Sequence, residues 1–394
     1  MRIMRRWMNV GIVVATAALS AALFVGCSSD DVEPVSPRGA GPTQPITETD
    51  AQTSDSGKDV AQPDDGGALR DADAADADLG PCSVDGWCET DLTSPNLEAI
   101  WGSGPNDVWA VGWFGTIMHW DGTAWTRFES GTQWPLFGIW GTGPKDVWAV
   151  GRYGTVLHWD GTSWTPVASN TTVELVGVWG NGRGDVWAAI GFDRAMMHKD
   201  AAGGWSRVQF AGFNYMTGIA GVEQSSLWFW GSNGVFRWNQ DATGPMDNIA
   251  IDISFPWWSS TYPWDRGQSP VTSVWMAGPA DLWILTQRGD VYNWKEATDG
   301  SVTAVQSRVP SSGAAQDGSL KFTSIWGSSP TNLWASGQLG RIVHLENSNW
   351  SLSSTAVRNR IFDCTLSLWG ANADDVWAVG KCADGQAVAL RRHP

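Results

Sequence analysis

Tryptophan falls on a schedule in this chain. Of its 394 residues 29 are Trp, and most hold fixed places in a repeat of roughly forty residues, the period range of solenoids and propellers. Two copies show it most clearly. One runs Ile100-Trp101-Gly102, Asp107-Val108-Trp109-Ala110-Val111-Gly112, His119-Trp120-Asp121-Gly122-Thr123-Ala124-Trp125. The next runs Ile139-Trp140-Gly141, Asp146-Val147-Trp148-Ala149-Val150-Gly151, His158-Trp159-Asp160-Gly161-Thr162-Ser163-Trp164. Units of this kind bury apolar surface only against their neighbours, so the period constrains the architecture before any local propensity does.

The Asp-Val-Trp element recurs at Trp109, Trp148, Trp187, Trp228, Trp283, Trp334 and Trp377, which makes seven units. Ile-Trp-Gly precedes it at Trp101, Trp140, Trp179, Trp275, Trp326 and Trp369, with Ala220 in that place in the fourth unit. Each unit reads as four short strands, a to d. Strand b is apolar on both alternating faces, so both faces are buried. Asp-Gly between strands c and d is a hairpin signal. Pro166 in strand d fits an outer edge, where a missing N–H does no harm. Four-stranded sheets repeated radially make an all-β, seven-bladed β-propeller.

The chain ends bear on closure. The seventh unit stops after strand c, while Trp87 stands 14 residues before Trp101, close to the 15 that separate Trp125 from Trp140. Trp87 therefore marks a strand d ahead of the first a, and the N-terminal strand is expected to complete the last C-terminal blade. Cys82, Cys88, Cys364 and Cys382 all fall in or beside that blade, an even number in a chain read as exported. Three pairings are possible. Cys364–Cys382 with Cys82–Cys88 is favoured, and a Cys88 link to the C-terminal part would lock the closure instead.

Ahead of the repeats, Arg2, Arg5 and Arg6 precede an apolar run from Val10 to Val25, a signal-peptide pattern over 1–26. It ends in Phe24-Val25-Gly26-Cys27, which resembles a bacterial lipobox. The resemblance implies lipidation of Cys27, and Ser28 after it favours the outer membrane. Residues 28–80 hold thirteen acidic against three basic residues, −10 of the chain's −16. They carry no aromatic residue, as in a disordered acidic tether. The expected domains are thus 1–26 signal, 27–80 lipidated Cys and tether, and 81–394 propeller. This acidity argues against nucleic acid as a partner.

The pattern Asp-Val-Trp-Ala-Val-Gly, then Gly-Thr-Ile, then His-Trp-Asp-Gly-Thr-x-Trp resembles the tectonin-type propeller repeat over nearly all of 87–394. Tectonins are lectins, so the resemblance implies glycan binding; unit count and insertions differ, and no ligand residue carries over. The Asp-Gly-Thr-x-Trp hairpin bears a weaker resemblance to the Asp-box of sialidase-like propellers.

Catalytic chemistry finds little footing. His119, His158, His198 and His344 share one place in successive blades, which suits packing or a local hydrogen bond better than a shared metal, whose ligands converge at about 2 Å. Repeated Asp107, Asp146, Asp185, Asp281 and Asp375 read as turn caps. No phosphate loop, zinc spacing or nucleophile elbow appears, and no cofactor or metal is expected. The informative residues are those outside the repeat: Trp113, Trp134, Trp230, Trp257, Trp258 and Trp264. All but Trp230 map to b–c turns or d–a connections, which share one face. Candidate ligand-binding residues there are Trp113, Trp134, Arg152, Tyr153, Arg194, Tyr215, Trp257, Trp258, Tyr262, Trp264 and Arg288. Aromatic planes rimmed by Arg suit sugar rings and protein hot spots alike. The sequence is read as a monomeric, non-catalytic envelope lipoprotein whose propeller face binds a carbohydrate. A protein scaffold and a glycan hydrolase or lyase are the alternatives.

Overall fold

A computed structural model describes residues 82–193, 195–209, 215–222, 226–232, 234–239, 269–310, 321–353 and 364–393. Seven antiparallel sheets follow one another along the chain. The first blade is β2 (Leu97–Gly104), β3 (Asp107–Gly112), β4 (Ile117–Trp120) and β5 (Trp125–Phe128); the second is β6 (Leu136–Gly143), β7 (Asp146–Gly151), β8 (Val156–Trp159) and β9 (Trp164–Pro166). The third is β10 (Leu175–Gly180), β11 (Val186–Ile190), β12 (Ala195–Lys199) and β13 (Trp205–Gln209). The fourth contributes β14 (Met216–Val222), β15 (Ser226–Gly231) and β16 (Gly234–Asn239) among the described residues. The fifth is β17 (Val271–Gly278), β18 (Asp281–Thr286), β19 (Asp290–Glu296) and β20 (Val302–Arg308). The sixth is β21 (Phe322–Ser329), β22 (Asn332–Gly337), β23 (Ile342–Glu346) and β24 (Asn349–Ser353). The seventh holds β25 (Cys364–Asn372), β26 (Asp375–Cys382) and β27 (Ala387–Arg392), with β1 (Trp87–Glu89) paired antiparallel to β27. The inner strands β2, β6, β10, β14, β17, β21 and β25 each pack on the next, and β25 packs on β2. The chain is a seven-bladed β-propeller.

What spaces the blades is written in Ile-Trp-Gly. At five of the seven junctions the Trp of one inner strand lies over the Gly that ends the next blade's Ile-Trp-Gly element, Ile219-Ala220-Gly221 in the fourth blade. A Cβ on Gly141 would stand 2.7 Å from the Trp101 ring, on Gly180 2.9 Å from Trp140, and on Gly221 2.3 Å from Trp179. Gly370 meets Trp326 at 2.5 Å and Gly102 meets Trp369 at 2.6 Å in the same sense. The Gly is a slot and the Trp fills it. The fourth blade, which has Ala220 in place of the Trp, is followed by a fifth blade with Met276 in place of the Gly. Both are buried in one cluster, so the large side chain has changed blades and the filled volume is kept.

Two positions before the Trp a small residue recurs: Ala99, Gly138, Gly177, Gly218, Ser273, Ser324 and Ser367. In the early blades it lets backbones meet; a Cβ on Gly138 would stand 2.9 Å from the Gly177 Cα. In the later blades it carries a hydroxyl that bonds the next blade. Ile325 N–H donates to Ser273 Oγ at 3.0 Å, Leu368 N–H to Ser324 Oγ at 3.0 Å, and Ser367 Oγ–H to the Glu98 carbonyl at 2.8 Å. These groups are buried, where an unmet hydrogen bond costs about 1–3 kcal/mol.

The repeated Asp does more than cap a turn. Asp107 Oδ1 accepts from Trp109 Nε1 at 3.0 Å and lies 2.7 Å from His119 Nε2, tying strand b to strand c, while the His119 ring stacks on Trp109 at 4.0 Å. Asp146, Trp148 and His158 repeat this, and Asp185 bonds His198. Burial pushes the Asp107 and Asp146 carboxyls up, but the bonds from His, from Ser103 or Thr142 and from Trp outweigh it and hold both below the usual value. The seventh blade substitutes Arg391, bidentate to Asp375 at 2.8 and 2.9 Å. In the sixth, Asn332 takes the place of Asp and accepts from His344 at 2.8 Å. The histidines are thus local strand ties, and no His, Cys, Asp and Glu grouping among the described residues could hold a metal. Both disulfides form in the favoured pairing, Cys82–Cys88 and Cys364–Cys382. Trp87 is fully buried, edge-on to Trp334 at 5.4 Å, with its indole N–H on Ser353 Oγ at 3.1 Å.

The slot rule makes a measurable claim. Ala220→Trp and Met276→Gly should each lose roughly 1–3 kcal/mol, through overpacking and a cavity respectively. The double variant should recover a large part of that sum in urea denaturation, and simple additivity would refute the exchange.

His344 supplies a second. Burial holds its imidazolium below the ordinary value of 6.5, with Glu346 only partly opposing. The unfolded chain therefore takes up a proton first as pH falls, so stability present above 6.5 is lost below it. His344→Gln should flatten the fall in urea midpoint between pH 7 and pH 5.5.

Candidate functional site

The b–c turns and d–a connections meet on one face, knitted by a repeated backbone bond. Trp113 N–H donates to the Asn96 carbonyl at 2.9 Å, Arg152 N–H to Pro135 at 3.0 Å, Gln287 N–H to Pro270 at 2.8 Å and Gln338 N–H to Lys321 at 2.9 Å. Each turn tip is thereby held against the segment entering its own inner strand.

Three tips have a conformation their residues do not favour. In Trp113-Phe114-Gly115-Thr116 the Thr116 N–H bonds the Trp113 carbonyl at 3.0 Å, and the central pair has φ of 56° and 65°. Tyr153 and Gly154 have 55° and 69°, and Leu339 and Gly340 60° and 62°. Positive φ at both central residues is a type I′ turn, whose first position belongs to Asn, Asp or Gly. An ordinary L-residue there costs about 1–2 kcal/mol. The side chains nonetheless stay largely exposed, Phe114 at 64%, Tyr153 at 50% and Leu339 at 47%.

Trp113, Trp134 and Phe192 are also exposed on this face. Trp134, in the connection to the second blade, meets Tyr153 edge-on at 4.5 Å, and the Arg152 guanidinium sits 5.3 Å from the Tyr153 ring centre. Burial raises the Glu174 carboxyl and nearby Arg152 partly opposes that. Trp113 is anchored from below: its indole N–H donates to Glu98 Oε1 at 2.6 Å, and Lys381 Nζ lies 2.9 and 3.0 Å from the two Glu98 oxygens. Glu98 is only 5% exposed. This ion pair joins the first and seventh blades beneath an exposed aromatic. Beside Tyr153 runs an open groove of about 870 Å³, walled by Gly131, Thr132, Ser169, Asn170, Thr172 and Arg207 among others.

Of the candidates read from sequence, the structure brings Trp134, Arg152 and Tyr153 together and sets Trp113 on the same face. Tyr215 is half-buried, its carbonyl accepting from Ser232 N–H at 3.4 Å. Arg288 lies in the b–c turn of the fifth blade, its N–H on Ser269 Oγ at 2.7 Å. Arg194, Trp257, Trp258, Tyr262 and Trp264 lie outside the described residues, as does Cys27. Trp230, set apart by the repeat, is core: it fills the space over Gly218 and donates to the Thr272 carbonyl at 3.3 Å. Sequence reasoning missed Leu339, Glu98 and Lys381. Leu339 had a usable signal, a Leu-Gly where the fourth unit has Asn233-Gly234; Glu98 and Lys381 had none.

No family model matches the chain, and no curated protein matches it. Solved structures do. One of YCF48 bound to D1 peptide aligns with a TM-score of 0.56 at 14% identity, covering 80% of this chain and 96% of that one. Virginiamycin B lyase from Staphylococcus aureus aligns at 0.59 and 12%, covering 78% and 100%. The WD40 propeller domain of Doa1 aligns at 0.55 and 11%, covering 77% and 95%. At these identities the likeness is one of fold.

If the tips are displayed against their backbone preference, relaxing them should stabilise the protein. Phe114→Asn, Tyr153→Asn and Leu339→Asn should each add roughly 0.5–1 kcal/mol, part of the αL cost. Thermal or urea unfolding of the three variants checks this; a loss at all three positions would show that the side chains serve packing instead.

Proposed function

We propose that this chain is a non-catalytic recognition protein that binds a protein partner on the b–c/d–a face. The observation that carries the reading is the set of bulky apolar tips, Phe114, Tyr153 and Leu339, in a turn conformation suited to Asn. Stability given up for exposed apolar surface marks sites whose role lies outside the fold. Trp113, Trp134 and Phe192 extend the surface, and aromatic residues with Arg at hand have the composition of binding hot spots. The Glu98–Lys381 pair holds Trp113 in place before any partner arrives, which lowers the ordering cost of binding. YCF48, a structural neighbour solved bound to D1 peptide, is an instance of this fold serving such a role elsewhere.

One observation favours a carbohydrate as second reading: Tyr153 lines the groove together with the hydroxyl and amide side chains of Thr132, Asn170 and Thr172. Glu98, the buried carboxylate on this face among the described residues, is engaged by Lys381 and Trp113, an arrangement that positions Trp113 and does not point to hydrolase or lyase chemistry. In either reading we place the propeller at the outer membrane, held through lipidated Cys27 and the acidic tether.

Affinity capture from the source cell envelope with the full chain, against Phe114→Asn/Tyr153→Asn/Leu339→Asn, tests the proposal. Protein partners held by the wild type should be lost with the variant, while its stability does not fall. An identical captured set would sink the proposal. Glycan-array binding abolished by Tyr153→Asn, with no protein captured, would replace it with the carbohydrate reading.

A further inference from the structure

Outer strands of a propeller are free edges, and a free edge is a template for another strand unless something guards it. Most here are guarded by length or by chemistry. Strand β1 has three residues and carries Glu89, β5 has four and carries Arg127, β9 has three and ends in Pro166, and β13 has five and carries Arg207. Strand β24 has five. Strand β20 stands apart. It runs for seven residues, Val-Thr-Ala-Val-Gln-Ser-Arg, with neither charge nor proline before Arg308. Residues 302 to 306 are all exposed, Val302 at 52% and Val305 at 65%. It pairs with β19 on one side, and among the described residues no strand pairs with its other side.

We infer that the outer edge of the fifth blade is a homodimer interface, in which β20 pairs antiparallel with β20 of a second copy. The strand is complementary to itself. A two-fold axis through Val305 sets Val305 against Val305, Ala304 against Gln306, Thr303 against Ser307 and Val302 against Arg308. At the centre Val305 meets Val305, the Thr303 and Ser307 hydroxyls face each other, and no like charges oppose, features that stabilise antiparallel strands. Charge selects the same place. Residues 81–394 hold 28 acidic against 19 basic residues, so two propellers repel on balance and association is favoured along an uncharged edge.

The flank adds apolar area. Side chains alternate along a strand, so Val305 faces the same way as Ser307, whose Oγ accepts from Trp350 Nε1 of β24 at 3.3 Å. Val305 therefore faces the sixth blade, where Leu352 is 53% exposed. A symmetric edge-to-edge contact is isologous and closes at two copies. It lies on the blade rim and stands independently of the aromatic tips, where the sequence alone suggested a monomer.

Light scattering on the purified full chain between about 1 and 100 μM, a range suited to weak symmetric contacts, should show molar mass rising towards twice the monomer value. Val305→Lys sets two ammonium groups against each other across the axis and should weaken the dimer at least tenfold without lowering the melting temperature. Val305→Glu should do the same, and mixing the two variants should restore a dimer, since Lys then faces Glu. A monomeric mass throughout, a dimer unchanged in Val305→Lys, or a mixture that stays monomeric would each overturn the inference.

Discussion

Everything in this molecule depends on the fit of an indole over a glycine. Each blade is too small to bury its own faces, and the Trp of one inner strand reaches across to the Gly of the next. The indole buries a large apolar area, and the missing Cβ lets its six-membered ring approach the neighbouring backbone closely. Because the fit repeats at five of the seven junctions, it sets the spacing between those blades. The exchange of Ala220 and Met276 obeys the same rule: the volume between the fourth and fifth blades is filled although neither signature residue is present.

A rigid ring of this kind allows local extravagance. The strand ties of Asp with His, Asn or Arg, the hydroxyls of Ser273, Ser324 and Ser367, and the two disulfides hold strands and blades without calling on the b–c turns for stability. Those turns are therefore free to carry Phe114, Tyr153 and Leu339 in a left-handed backbone conformation that costs folding energy. Glu98 and Lys381 show the same division of labour at depth. A buried ion pair is a poor source of net stability, because desolvation offsets most of its attraction; here it also fixes an exposed indole in one orientation.

Most of the fold was legible because the packing rule is short-ranged in sequence. Ile-Trp-Gly, Asp-Val-Trp and Asp-Gly-Thr each report a local necessity, and their spacing reports the strands between. The site was legible only in part. Trp113, Trp134 and Tyr153 stood out by breaking the repeat or by sitting in its turns. Leu339 did not, because a lone Leu carries no mark of exposure; only its place before a Gly in a turn distinguishes it. The histidines were rightly read as local, whereas Asp107 and its equivalents proved to be strand ties more than turn caps, a distinction that depends on where a side chain points.

The repeat, the seven units and the strand order follow from the amino-acid sequence, since each rests on patterns a few residues or one repeat apart. Which residues meet across the ring follows only from how the blades are assembled. That assembly set Lys381 beside Glu98, 283 residues away, and placed the first and last blades in contact. It also gave Phe114, Tyr153 and Leu339 their left-handed turns and β20 its unguarded edge. Those outcomes depend on the direction in which each sheet is turned by its neighbours, and no local pattern encodes a direction.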